Sequence, residues 1–139
     1  MVTAIFGSQS AMAGPKGSKY YDVFLDYEVW LTNRQTGNRV DDQFVKLLSA
    51  IAAKGSIRLA AEETGLSYRK AWGDIQQAEK FLGFTLVKKV RGGRNGGKSH
   101  LTADGADLVA GFKQLHEEFN LAIYKTTKEF FHKLNKAED

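Results

Sequence analysis

The run Gly92-Gly93-Arg94-Asn95-Gly96-Gly97-Lys98-Ser99 satisfies the spacing G-x-x-x-x-G-K-[ST]. In a nucleotide-binding loop that spacing lets backbone N–H groups surround the phosphates while the lysine reaches the outer phosphate and the hydroxyl holds magnesium. The same residues also suit the tip of a β-hairpin whose phosphate ligand is the backbone of DNA. A nucleotide loop needs a buried parallel strand before it and a helix that begins at the Lys-Ser pair. Here the preceding strand carries Lys88-Lys89, the next helix cap is Thr102, and no apolar run ending in Asp comes after it to hold magnesium. The hairpin reading uses every residue. Glycines relax the backbone at the tip and permit close approach. Arg91, Arg94 and Lys98 supply charge, while Asn95 and Ser99 supply neutral donors. Arg94 at the tip is suited to a narrow A·T minor groove, where negative potential concentrates.

The element before the hairpin offers a second set of chemistry-bearing residues. Placed on a helical wheel, residues 67–82 divide into an apolar stripe of Ala71, Ile75, Ala78 and Leu82 and an opposite stripe of Arg69, Gly73, Gln76 and Lys80. The second stripe combines two cations, an amide able to pair with an adenine edge, and a glycine that leaves room for close approach. Tyr68 and Lys70 flank it at the helix start, where a recognition helix meets the groove, and Ser67 and Ser56 are caps with hydroxyls to offer a phosphate. Trp72 is expected at the boundary of the core beneath the hairpin, and Glu79 is expected to be solvated or paired, not catalytic.

These residues need a scaffold, and the spacing supplies one. "YYDVFLDYEVWL" alternates with period two and predicts a long half-buried strand over 20–31; "TNRQTGNR" is a polar turn. Asp41 or Asp42 caps a helix with Phe44, Leu47, Leu48 and Ile51 inward, ended by Gly55. Ser56 opens a short helix with Ile57, Ala60 and Ala61 inward, Gly65-Leu66 turns, and Ser67 opens the next helix, closed by Gly83. Two short helices with alanines at their crossing are a helix-turn-helix. "FTLVKKV" and "KSHL" are the strands of the hairpin. Thr102 caps a helix reaching about Leu134, with Leu108, Phe112, Leu115, Phe119, Ile123 and Phe130 recurring at intervals suited to one face. At 1.5 Å per residue such a helix is about 48 Å long, so its apolar stripe is expected to pack on a second subunit as well as on the 20–31 strand. The expected fold is mainly α with a small β component: a winged helix-turn-helix with an N-terminal strand and a long C-terminal dimerisation helix. The expected divisions are a flexible tail over 1–19, the winged domain over 20–102 and the dimerisation helix over 103–139.

Bulk properties agree. The chain has 139 residues, 42% hydrophobic and 26% charged, which fits one globular domain. Net charge is only +4, but residues 68–100 hold eight basic residues against two acidic ones, so the positive field is confined to the segment that would meet a polyanion. No apolar run long enough for a membrane span is present, and the start lacks the charged and apolar regions of a secretory signal. The absence of cysteine excludes disulfides and thiolate chemistry, which fits the cytoplasm. His100, His116 and His132 are too widely spaced to suggest a metal site, so no cofactor is expected.

"GSIRLAAEETGLSYRKAWGDI" at 55–75 and "RGGRNGGKSHLTADG" at 91–105 resemble the N-terminal DNA-binding domain of the molybdate-responsive, ModE-type bacterial regulators, and the first stretch is also similar to LysR-type regulators. The glycine-rich loop leading into Leu-Thr-x-x-Gly is the more specific half, and the resemblance spans roughly residues 20–130. It implies a homodimer joined partly through the last helix, with operator DNA as ligand. By residue, Ser67, Tyr68, Arg69 and Lys70 would open the recognition helix and Arg91 to Lys98 would form the wing. Family members bind molybdate in a further domain beyond the long helix, and this sequence ends at Asp139, so molybdate binding is not expected of it. The reading is a dimeric, sequence-specific regulator that binds double-stranded DNA and is not an enzyme. The alternatives are a nucleotide-binding protein using the glycine loop and a dimeric protein–protein adaptor.

Overall fold

The computed structural model describes residues 11–12, 16–90 and 97–136. The elements in chain order are β1 (Ala11–Met12), β2 (Phe24–Leu25), β3 (Leu31–Thr32), β4 (Arg39–Val40), α1 (Asp42–Lys54), α2 (Ile57–Thr64), α3 (Tyr68–Leu82), β5 (Val87–Val90), β6 (Lys98–Leu101) and α4 (Ala103–Lys136). The strands pair antiparallel as β1–β2, β3–β4 and β5–β6. Residues 29–112 form one compact unit, and residues 1–28 with 113–139 form another.

In the unit 29–112, helix ends arise from local chemistry. The side chains of Asp41, Ser56 and Ser67 accept hydrogen bonds from the backbone N–H groups of Phe44, Leu59 and Lys70, so each of the three helices begins on a cap. Gly55, Gly65 and Gly83 close them in the left-handed conformation, with φ of 69°, 76° and 88°, where a side chain would be strained. Between the caps, Val45, Leu47, Leu48 and Ile51 of α1 are fully buried, as are Ala60 of α2 and Ala71 and Ile75 of α3. The alanines let the helices of the helix-turn-helix approach closely. The β5–β6 hairpin comes next in the register Val87↔Leu101 to Val90↔Lys98, completing a winged helix-turn-helix.

The hairpin is tied to its neighbours by backbone bonds. One carboxylate oxygen of Glu79 accepts the N–H groups of Leu86 at 2.7 Å and Val87 at 3.1 Å. The N–H of Thr102 donates to the Leu86 carbonyl at 2.9 Å, and the Thr102 hydroxyl donates to the Thr85 carbonyl at 2.8 Å while accepting the N–H of Gly105. The Leu-Thr-x-x-Gly motif is therefore a junction: Thr102 caps α4 and fastens it to the hairpin. Its glycine has a separate cause, since a Cβ at Gly105 would lie 2.3 Å from the Leu86 carbonyl oxygen.

The N-terminal strand is much shorter than the alternation over 20–31 suggests. Only Phe24–Leu25 and Leu31–Thr32 are strands, residues 26–30 have no regular structure, and Asp22 takes a positive φ of 65°. Period two marks extended chain, but a strand also requires a partner for its N–H and C=O groups. The partners found are Ala11–Met12 and Arg39–Val40, two residues each. Ala11–Met12 lies in the stretch expected to be a tail, and residues 16–22 form turns and bends; residues 1–10 and 13–15 lie outside the described residues. In the unit containing residues 113–136, His116, Thr127 and Phe131 are buried, and the Phe131 ring lies 5.8 Å from that of Tyr20.

Gly105→Ala is expected to cost about 1–3 kcal/mol, the range for overpacking a filled site. The readout is a lower urea midpoint at unchanged slope. Gly111→Ala, on the same helix with nothing within 4 Å of the added Cβ, is the control expected to be neutral or stabilising.

Candidate nucleic-acid interface

Helix α3 turns its apolar stripe inward, Ala71 and Ile75 at 0% and Ala78 at 7% exposure. Ser67, Tyr68, Arg69, Lys70, Gln76 and Lys80 lie on the outer side, and Gly73 is half-buried. One helix face therefore gathers the cations, the amide and the glycine singled out from the sequence. A Cβ at Gly73 would meet nothing within 4 Å, so the fold itself does not require glycine there. A glycine in mid-helix disfavours the helix by about 1 kcal/mol relative to alanine; the missing side chain leaves room for something outside the chain.

The cations of this face are not equivalent. The Lys70 ammonium donates to the Asp74 carboxylate at 2.7 Å, one helical turn away. That hydrogen bond, and then the Asp74 charge itself, raises the Lys70 pKa above the ordinary lysine value. Lys70 is thus charged but locally compensated. Its neighbours Arg69 and Lys80 carry the rest of the positive character of the face.

The β5–β6 hairpin lies directly after α3 in the chain. Lys98 is exposed at the strand end nearest the loop. Arg91, Arg94 and Asn95, expected at the wing tip, lie outside the described residues. Ser99 differs from expectation: it is only 5% exposed, and its backbone N–H donates to the Gly55 carbonyl at 2.9 Å, fixing β6 to the end of α1. Its position opposite Lys89 in the ladder turns it inward because side chains alternate along a strand. Lys98 and Ser99 belong to an antiparallel strand, and the next helix starts at Ala103. No helix N-terminus opens at the Lys-Ser pair, which is the feature a nucleotide loop requires.

Two residues not assigned to the site from the sequence join this surface. The Lys89 ammonium sits 3.9 Å from the centre of the Trp72 ring and donates to the Tyr68 hydroxyl at 3.1 Å. The Arg58 guanidinium lies 5.8 Å from the centre of the Tyr68 ring. Trp72 therefore lies beneath the hairpin with a cation on its face. Exposed α2 cations and strand lysines look alike in sequence, and only the pairing of hairpin and helices distinguishes these two. Glu79 is paired, as expected, through the backbone N–H groups of the hairpin that it tethers.

The residues assigned to dimerisation along α4 separate into two groups. Phe112 is 3% exposed, so it offers no surface. Leu108, Leu115 and Ile123 are half-buried, whereas Phe119 at 41% and Phe130 at 51% are exposed. Leu121 at 74% and Tyr124 at 51% extend the exposed apolar surface; they stand off the stripe by helical spacing, which is why periodicity missed them. Among the described residues no group of three or more metal-ligating side chains occurs, and no helix is long and apolar enough to cross a membrane.

Residues 43–106 match the bacterial regulatory helix-turn-helix protein, lysR family. The chain is 41% identical over 78 residues to the molybdenum-pterin-binding protein MopB of Rhodobacter capsulatus, covering 56% of this chain and 29% of that protein. It is 38% identical over 87 residues to the molybdenum transport protein ModE of Azotobacter vinelandii, covering 63% of this chain and 32% of that protein. It is 36% identical over 69 residues to the DNA-binding transcriptional dual regulator ModE of Escherichia coli K12, covering 50% of this chain and 26% of that protein. The chain thus matches less than a third of the length of these relatives.

Asp74→Asn removes the anion that compensates Lys70 on the outer face of α3. It is expected to tighten binding of a mixed-sequence duplex by roughly severalfold at low salt, with the gain disappearing as salt rises. Fluorescence anisotropy across a salt series checks it; an unchanged or weakened affinity would place Lys70 and Asp74 outside the contact.

Proposed function

From residues 43–106 as a lysR-type regulatory helix-turn-helix domain with ModE-type relatives, we propose that the chain is a dimeric, sequence-specific regulator of transcription that binds double-stranded DNA. The observation that carries this is the outer face of α3, where Arg69, Gln76 and Lys80 surround the cleared position of Gly73. Arg69 and Gln76 have the hydrogen-bonding geometry to read guanine and adenine edges in the major groove. Ser67 and Ser56, as helix caps, and Lys98 on the wing meet backbone phosphates. Arg91, Arg94 and Asn95 complete the wing contact. Affinity then comes mainly from phosphates and selectivity from α3. The protein acts by binding and not by catalysis, in the cytoplasm where its DNA lies.

The dimer is read from α4. Phe119 and Phe130 leave large apolar side chains exposed on one face of the helix, and a second copy of the same helix buries such a face on both sides of a two-fold axis. Two recognition helices then enter successive major grooves about 34 Å apart on a near-palindromic site.

Selection of bound sequences from a random duplex pool tests the division of labour. Arg69→Ala is expected to relax base preference at one position of each half-site, a loss of about 1–3 kcal/mol of discrimination. Lys98→Ala is expected to weaken all sequences alike and lower the salt slope by about one. Equal loss of selectivity in both variants would contradict the assignment.

The combined change Phe119→Lys and Phe130→Glu is expected to convert a dimer to a monomer in sedimentation equilibrium while circular dichroism retains its helical signal. A variant that stays dimeric would remove α4 from the interface.

A further inference from the structure

A small cavity of about 90 Å³ opens where α2, α3 and the hairpin converge, lined in part by Ser56, Arg58, Tyr68, Lys89, Gly97 and Ser99. That is room for a tetrahedral oxyanion with a few waters. Its chemistry is one-sided. The floor is the start of α2, where Ser56 already satisfies the N–H of Leu59 and the first turn contains no acidic residue. The N–H groups of Ile57 and Arg58 are among the first-turn donors that have no partner inside the helix, and the helix dipole adds positive potential there.

The walls supply a second and independent set of groups. Ser99 is 5% exposed and lines the cavity, which puts a hydroxyl in its wall. Arg58 and Lys89 both line the cavity, and both rest on the Tyr68 side chain, with Lys89 also on Trp72. Gly97 forms the rim; a Cβ there would lie 2.9 Å from the Val90 carbonyl oxygen, so any other residue would disturb the hairpin beside the opening.

We propose that this cavity seats one phosphodiester group of the DNA backbone, held jointly by Arg58 and Lys89, with Ser56 and Ser99 donating from their hydroxyls. The proposal rests on the reading of the chain as a DNA-binding protein and adds Arg58 and Lys89 to it. Aromatic rings hold the two cations near the seat without neutralising them, since a ring face attracts a cation yet carries no net charge. When the phosphate arrives, Lys89 leaves the Trp72 ring for the oxyanion. The seat lies beside the first residues of α3, so occupying it fixes the register of the recognition helix against the groove.

The test is anisotropy of a labelled mixed-sequence duplex over a salt series, in a Trp30→Phe background that leaves Trp72 as the reporter tryptophan. Arg58→Gln and Lys89→Gln are each expected to weaken binding at low salt. Together they are expected to lower the salt slope by about one, the value for a single phosphate, because both cations serve the same group. Lys89→Arg is expected to keep the slope. Trp72 emission is expected to change on adding duplex in the parent and not in Lys89→Gln, and not to respond to millimolar inorganic phosphate at matched ionic strength. A slope lowered by about two would assign the cations to separate phosphates and overturn the single seat. A duplex bound with unchanged slope by the double variant overturns the seat and leaves the DNA reading intact. A Trp72 response to inorganic phosphate without one to duplex makes the cavity a free-oxyanion site and overturns the proposal. Absence of duplex binding by the parent at low salt overturns the seat and the DNA reading together.

Discussion

The peptide of Leu86 is the constraint on which the rest of the winged unit depends. Its N–H is held by the Glu79 carboxylate from α3, its carbonyl by the N–H of Thr102 at the start of α4, and its side chain is fully buried. Gly105 packs against the same carbonyl so closely that no other residue fits without displacement. One residue thus sets the height of β5 against α3 and the starting point of the last helix. A carboxylate that accepts two backbone N–H groups forms stronger bonds than a neutral acceptor. Its position on α3 means that this helix itself carries the anchor of the hairpin. Without Glu79 those two N–H groups would have to find water beside a buried leucine, and the hairpin would lose its fixed relation to α3.

From that fixed geometry comes a graded charge distribution. The inward side of α3 is alanine and isoleucine, which allows close packing on α2 and leaves the polar side clear of the core. On the polar side Lys70 is compensated by Asp74. Lys89 and Arg58 rest on aromatic rings instead of carboxylates. The distinction matters physically. A carboxylate partner repels an incoming phosphate, whereas an aromatic partner positions the cation and leaves its charge available. Two neighbouring arrangements of basic residues therefore differ in what they offer a polyanion, although the sequence contains only lysines and arginines in both.

Much of this unit is legible in the sequence because its signals are local. Asp41, Ser56, Ser67 and Thr102 cap the helices they announce, and Gly55, Gly65 and Gly83 end three of them in the left-handed conformation. A cap needs only a side chain and an N–H three residues on, so spacing reveals it. The failures are all non-local. The alternation at 20–31 points to a long strand, but strand length is decided by what lies alongside, and only Ala11–Met12 and Arg39–Val40 pair with it. The stripe along α4 groups Phe112 with Phe119 and Phe130 by period alone, yet Phe112 is buried and the other two are exposed. Arg58 and Lys89 are invisible in the sequence because their significance arises from elements far apart in the chain. Ser99 is legible as a polar residue near the loop, but the ladder register that turns it inward is not.

The glycine-rich string illustrates the same boundary between pattern and geometry. A phosphate loop and a wing tip select the same residue types, since both need backbone freedom, a lysine and a small hydroxyl near an anion. They differ in the element that the Lys-Ser pair joins. Here Lys98 and Ser99 extend a β-ladder, so their N–H groups face a neighbouring strand and the end of α1 and cannot converge on one point. The converging N–H groups of this region belong instead to the start of α2, well before the hairpin in the chain. Gly97 stands between the two: its missing side chain lets the hairpin close against Val90 and keeps the rim of the α2 cavity open. The motif thus contributes to an anion-binding geometry whose helix N-terminus is supplied by another part of the fold.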